Sequence, residues 1–138
     1  MRIKMEWSAD SNDLRIIQQE LLRDIESKFG TVNRQNFGWL MRDALDDLVI
    51  GGMSGFVHWN WAYISHLWVQ PKFQGFGYGS KLINEVYHWS EQKQLSGLYI
   101  DTFEAKVKDF YLKQGFIFMG SIPDFPPDHQ RFFLYRKI

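Results

Sequence analysis

Three glycines at alternate positions, Gly75, Gly77 and Gly79, separate an apolar run ending at Val69 from a run with helical periodicity. No other feature constrains the fold as much. Leu82, Ile83, Val86 and Trp89 recur on one face of a helix expected from about Gly77 to Leu95, with Gly97 closing it. A second strand is expected from Leu98 to Phe103. A strand, a glycine turn, a helix and a strand make a crossover unit, and the crossover from 61 to 103 is long enough to set its two strands parallel. Glycine also lets the backbone adopt left-handed conformations and exposes its N–H groups to a ligand. Added to the unpaired donors of the following helix, those groups form a site for phosphate or pyrophosphate. A plain glycine-softened turn is the other reading, and spacing alone leaves both open. Two better-known phosphate loops do not fit. The P-loop needs Lys before Ser or Thr, and Ser80-Lys81 has the reverse order. The dinucleotide fingerprint needs three positions between its second and third Gly, where this chain has two.

The rest of the chain builds around that unit. Arg2 to Trp7 reads as a short first strand. Asp10 to Asp13 supply helix caps, and Leu14, Ile17, Leu21 and Ile25 then recur at helical spacing until Gly30. Phe37–Met41, Leu48–Trp59 and Trp61–Val69 read as an antiparallel meander, turning at 42–47 and at Asn60. Gly51, Gly52 and Gly55 inside the second of these predict a bulge or a close backbone approach. After residue 103 come a short helix (105–114), a strand (116–119) and a last strand (131–137). The class is α/β, or α+β by a stricter label, in a single domain over residues 1–138.

Charge and composition remove several functions. Sixteen Lys and Arg balance sixteen Asp and Glu, with no basic run, so nucleic acid is not an expected partner. The absence of cysteine removes disulfides, thiolate metal sites and Cys nucleophiles. No run reaches the roughly 18–20 apolar residues of a membrane span, and the N-terminus lacks a signal-like stretch, so a cytoplasmic location is expected. The 17% aromatic content is expected mainly in the core.

Gln74-Gly75-Phe76-Gly77-Tyr78-Gly79 resembles the (Arg/Gln)-x-x-Gly-x-(Gly/Ala) acyl-CoA pyrophosphate loop of the GNAT superfamily of N-acetyltransferases. Downstream, Ala105-x-x-x-x-Phe110-Tyr111-Leu112-x-x-Gly115-Phe116 is similar to the helix and strand of that family that contain a Phe-Tyr pair. The resemblance implies a mixed, mostly antiparallel central sheet flanked by helices, whose fourth and fifth strands splay apart to admit acetyl-CoA. It implies that the backbone of Trp68, Val69 and Gln70 pairs with the pantetheine arm. The loop of Gln74, Gly75, Phe76, Gly77, Tyr78, Gly79 and Ser80 would then hold the pyrophosphate, with Lys72 and Lys81 nearby.

The implied chemistry is acetyl transfer from the acetyl-CoA cosubstrate to a primary amine of a small molecule or peptide, with no metal. Tyr111 matches the tyrosine that protonates the coenzyme sulfur in that family, and a phenol with a pKa near 10 keeps its proton for that purpose. The base is less obvious. Ser65 stands where many relatives carry Glu, and His66 is the nearest titratable side chain, although alternation turns it to the opposite face. Asp101 ends a strand near the splay and has three readings: a base acting through water, an orienter of a cationic amine, or a partner for backbone donors. The segment from Thr102 to Glu104 lacks the Asn with which many relatives hold pantetheine. The acceptor pocket is expected from the first helix and from 122–129, which carries Asp124, Asp128 and His129. A homodimer is compatible with the family. Two alternatives remain: a noncatalytic acyl-CoA-binding regulatory module, and an unrelated nucleotide-phosphate binder.

Overall fold

The computed structural model describes residues 1–138 as two compact units, Met1–Val32 and Asn33–Ile138. The first unit contains one helix, α1 (Ser11–Phe29). Asp10 caps it by accepting the Asn12 N–H at 2.8 Å, and Gly30, at φ 89°, closes it with its N–H on Glu26 O at 2.9 Å. No residue of α1 is buried. Residues 2–7 do not form the expected strand. Ile3, Met5 and Trp7 alternate correctly, but the segment pairs with nothing, and an alternating sequence becomes a strand only when a neighbour takes up its backbone groups.

The second unit is a six-stranded sheet with two helices. In chain order it comprises β1 (Gln35–Arg42), β2 (Val49–His58), β3 (Trp61–Val69), α2 (Tyr78–Gln92), β4 (Gly97–Thr102), α3 (Ala105–Lys113), β5 (Ile117–Pro123) and β6 (Gln130–Lys137). The strand order is β1-β2-β3-β4-β6-β5, antiparallel throughout except for β3 beside β4. One face carries Val57, Ala62, Ile64, Leu98, Ile100 and Leu134, each at most 5% exposed, and they share a core with Leu82, Ile83 and Val86 of α2. Burying each Val, Leu or Ile of this cluster contributes about 1.5–3 kcal/mol, so the cluster holds α2 on the sheet.

Two local features position the site. The parallel pairing runs only from Trp61 opposite Gly97 to Ile64 opposite Ile100, after which β3 and β4 part. The splayed pair is therefore the third and fourth strands, because the expected first strand is absent. The second feature is a bulge. Gly55 pairs with Ile64 but Ser54 pairs with His66, which leaves Ser65 as the extra residue. Gly55 is required here, since a Cβ at this position would lie 1.9 Å from Tyr63 O. The bulge resets the alternation that the sequence predicts. Tyr63, opposite Phe56, and His66, opposite Ser54, come to share the outer face of the sheet.

Candidate active site

The turn from β3 into α2 exposes its backbone donors. Hydrogen bonds within the chain take the N–H groups of Phe73 and Gln74, to Gln70 O and Pro71 O, and resume with Lys81 N–H on Gly77 O at 3.0 Å. The stretch between them, Gly75 to Ser80, includes the first-turn donors of α2, which have no partner inside a helix. Gly75 and Gly77 both have φ 86°, a left-handed conformation that glycine adopts without strain, and a Cβ at either would meet nothing within 4 Å. The backbone is thus unobstructed at both positions. The first turn of α2 has no acidic residue to compete for its positive end. Gly79 serves differently: a Cβ there would stand 3.2 Å from Phe110 Cζ, so this glycine lets α3 approach α2. Ser80 Oγ accepts the Gln114 side-chain amide at 2.9 Å, a second tie between the two helices. Phe76 is exposed, and Lys81 lies 5.5 Å from the centre of the Tyr78 ring.

Past Ile64 the β4 side of β3 has no strand beside it. Gln70 N–H is given to Ile50 O of β2 at 2.8 Å, and Val69 O accepts the Gln74 side-chain amide at 2.9 Å. Strand alternation turns the Val69 N–H toward the gap. Trp68 is half-exposed on the outer face.

Where the strands part, Asp101 is the centre of a polar cluster. Its side chain is 8% exposed, Arg131 Nε donates to Oδ2 at 2.7 Å, and the Tyr63 hydroxyl donates to Oδ1. The Arg131 guanidinium also lies within 5.1–5.4 Å of the ring centres of Phe103, Phe125 and Phe133. Burial pushes the Tyr63 hydroxyl up to about 12, helped by its hydrogen bond to Asp101. Tyr111 comes from α3, 4% exposed, with its ring between Phe110 and Phe116. Its pKa is also raised, chiefly by burial and further by the Asp101 charge.

The structure joins Asp101 to Tyr63 and Arg131, which sequence reasoning missed, and leaves Tyr111 in the core within range of the Asp101 charge. Both carboxylate oxygens of Asp101 are engaged by side-chain donors. His66 lies apart, in a shallow apolar groove of about 230 Å³ with Leu40, Gly52, Ser54 and Trp68, its Nδ1 3.3 Å from Ser54 Oγ. Ser65 Oγ donates to Ser54 O across the bulge. Asp124 accepts the Asp128 N–H at 2.9 Å and so closes its own turn. No group of His, Asp and Glu has a metal-binding arrangement. No helix is long and apolar enough to cross a membrane.

Known acetyltransferases resemble this chain in sequence and in fold. The blasticidin-S acetyltransferase of Streptomyces morookaense is 35% identical over 78 residues, covering 56% of this chain and 57% of that protein, so the match spans little more than half of the relative. An acetyltransferase structure from Bacillus cereus superposes with a TM-score of 0.91 over 98% of both chains at 20% identity. A Bacillus anthracis structure in complex with acetyl coenzyme A superposes with a TM-score of 0.65, at 23% identity, over 75% of this chain and 62% of that one. The sequence pattern of the acetyltransferase (GNAT) family matches residues 4–116. The chain belongs to the GNAT family of acetyltransferases.

Proposed function

We propose that this protein transfers an acetyl group from acetyl-CoA to a primary amine of a small molecule or peptide, by direct attack in a ternary complex. The observation that carries the reading is the open run of backbone donors from Gly75 to Ser80, at the head of a helix tied to the one that holds Tyr111. A left-handed, unobstructed backbone beside an uncapped helix N-terminus suits a pyrophosphate. When bound, acetyl-CoA supplies an acyl thioester whose C–S bond breaks as the C–N bond to the amine forms. Tyr111 gives its proton to the departing sulfur, and the attacking nitrogen loses one to solvent. The high pKa of Tyr111 keeps that proton in place at neutral pH. The blasticidin-S acetyltransferase relative supports acetyl transfer to a small molecule, and the Bacillus anthracis complex supports the cosubstrate.

A noncatalytic acyl-CoA-binding module is favoured by two observations: Ser65 stands at the bulge, and each oxygen of Asp101 already accepts a side-chain donor. Thiol release measured over a panel of amines separates the two. Acetyl-CoA is expected to raise the melting temperature, since a ligand of the folded state stabilises it by mass action. Desphospho-pantetheine is expected to do much less. Equal shifts from the two would remove the pyrophosphate argument.

A further inference from the structure

We infer that Tyr63 is the hydrogen-bond acceptor that receives the attacking amine, with Asp101 and Arg131 as the positioning residues that fix the direction of its hydroxyl. The inference rests on the acetyl-transfer reading above and names a residue that neither motif contains.

A phenol has one proton and two lone pairs, whereas a carboxylate can only accept. Arg131 Nε occupies Asp101 Oδ2 at 2.7 Å, and the Tyr63 proton is directed at Oδ1. The polarity of this chain runs one way, from both ends toward the carboxylate. With its proton committed and one lone pair engaged by the Arg131 guanidinium, the Tyr63 oxygen can offer an incoming group only its remaining lone pair. That face suits an N–H donor such as an amine, and does not suit a carbonyl or an anion. The ring cannot readily turn away. Tyr99 stacks on it at 4.7 Å, and Phe56 meets it edge-on at 5.5 Å. Its register is also apt: Tyr63 opposite Tyr99 is the last pair but one before β3 and β4 part, so the hydroxyl reaches Asp101 at the mouth of the gap. Burial and the Asp101 contact outweigh the opposing pull of Arg131 and favour the protonated phenol, so the arrangement persists at neutral pH.

The role needs no base at the bulge. Tyr63 is neutral before and after the reaction. It accepts a hydrogen bond from one N–H of the neutral amine, which aims the nitrogen lone pair at the thioester carbon. The proton lost as the C–N bond forms goes to solvent. The two tyrosines thus do opposite work, Tyr111 as donor to the sulfur and Tyr63 as acceptor from the nitrogen.

The test is steady-state thiol release from acetyl-CoA with spermidine, blasticidin S and an alanyl tripeptide as the amines. For each amine that the wild type acetylates, Tyr63→Phe should lower kcat/KM for the amine by about 10–100-fold, the loss of one well-placed hydrogen bond. The acetyl-CoA KM should stay within twofold, and the melting shift caused by acetyl-CoA should persist. Asp101→Asn lets the amide donate to Tyr63 and turns the phenol proton toward the amine, so it should cause a similar loss. In the Tyr63→Phe background it should add less than threefold. Should Tyr63→Phe melt below the assay temperature, Asp101→Asn carries the same test. Amine kcat/KM within threefold of wild type in Tyr63→Phe overturns the inference, and so does a loss shared equally by both substrates. Thiol release with none of the three amines, despite a melting shift from acetyl-CoA, overturns the acetyl-transfer reading and this inference with it.

Discussion

Replacing Tyr111 by Phe removes one hydroxyl and leaves the ring that packs between Phe110 and Phe116, with centroids 5.7 and 5.8 Å away. The volume is conserved, so the fold should lose no more than about 1 kcal/mol, or roughly 3 °C in Tm. The kinetic loss should be far larger. A general acid typically contributes about 10²–10⁴-fold, which corresponds to about 2.7–5.4 kcal/mol at 1.36 kcal/mol per decade. The disparity is what separates a proton donor from a core aromatic. Single-turnover kinetics with saturating acetyl-CoA isolate the chemical step, and the acetyl-CoA KM should change little because the hydroxyl acts on the developing thiolate. The pH dependence gives an independent check. Burial and the Asp101 charge raise the Tyr111 pKa, so the wild-type rate should show no basic limb from this group up to pH 10. Above pH 10 the unfolded phenol releases a proton that the folded one keeps, so wild-type stability should fall with rising pH, and Tyr111→Phe should lose that part of the slope. A Tyr111→Phe enzyme with a wild-type single-turnover rate would falsify the proton-donor role.

Two further changes test other parts of the argument. Gly77→Ala meets no atom within 4 Å but must hold a φ of 86°, so it should cost about 1–2 kcal/mol of stability. It should also raise the acetyl-CoA KM at least tenfold, and an unchanged KM in a destabilised protein would reduce Gly77 to a turn residue. Ser90 is completely buried in α2 and its hydroxyl has no hydrogen-bond partner, so Ser90→Ala should stabilise the protein by about 1 kcal/mol in urea denaturation. A decrease would mean that the hydroxyl is satisfied in solution.

What was legible in the sequence was what depends on neighbours along the chain. The periodicity of Leu82, Ile83 and Val86 predicted both α2 and its buried face, and the Gly75–Gly79 spacing predicted the turn that opens it. Periodicity misled at Ile3, Met5 and Trp7, because whether a strand forms depends on pairing that residues 2–7 do not find. It also failed at His66, where one extra residue at the bulge moved the side chain to the face of Tyr63. The three glycines looked equivalent, yet two are left-handed and Gly79 answers to the Phe110 ring thirty-one residues away. The cluster around Asp101 was the least visible. Its partners Tyr63 and Arg131 lie 38 and 30 residues distant, on strands that only the crossover and the last hairpin bring to its side. Nothing in a local pattern marks such a meeting.

The ties between α2 and α3 set a length. Phe110 against Gly79 and Gln114 on Ser80 join the amino end of one helix to the other, and Tyr111 stands on the second. The separation between the Gly75–Ser80 turn and Tyr111 is therefore set within the protein, as between the two jaws of a caliper. In the proposed reaction a donor that fills only one jaw leaves the other unengaged, so the pair of helices would gauge the donor's span before any bond is broken. In the proposed reaction, selectivity for a long, phosphate-ended thioester over a short one would follow from that dimension, without a contact dedicated to refusing the wrong molecule.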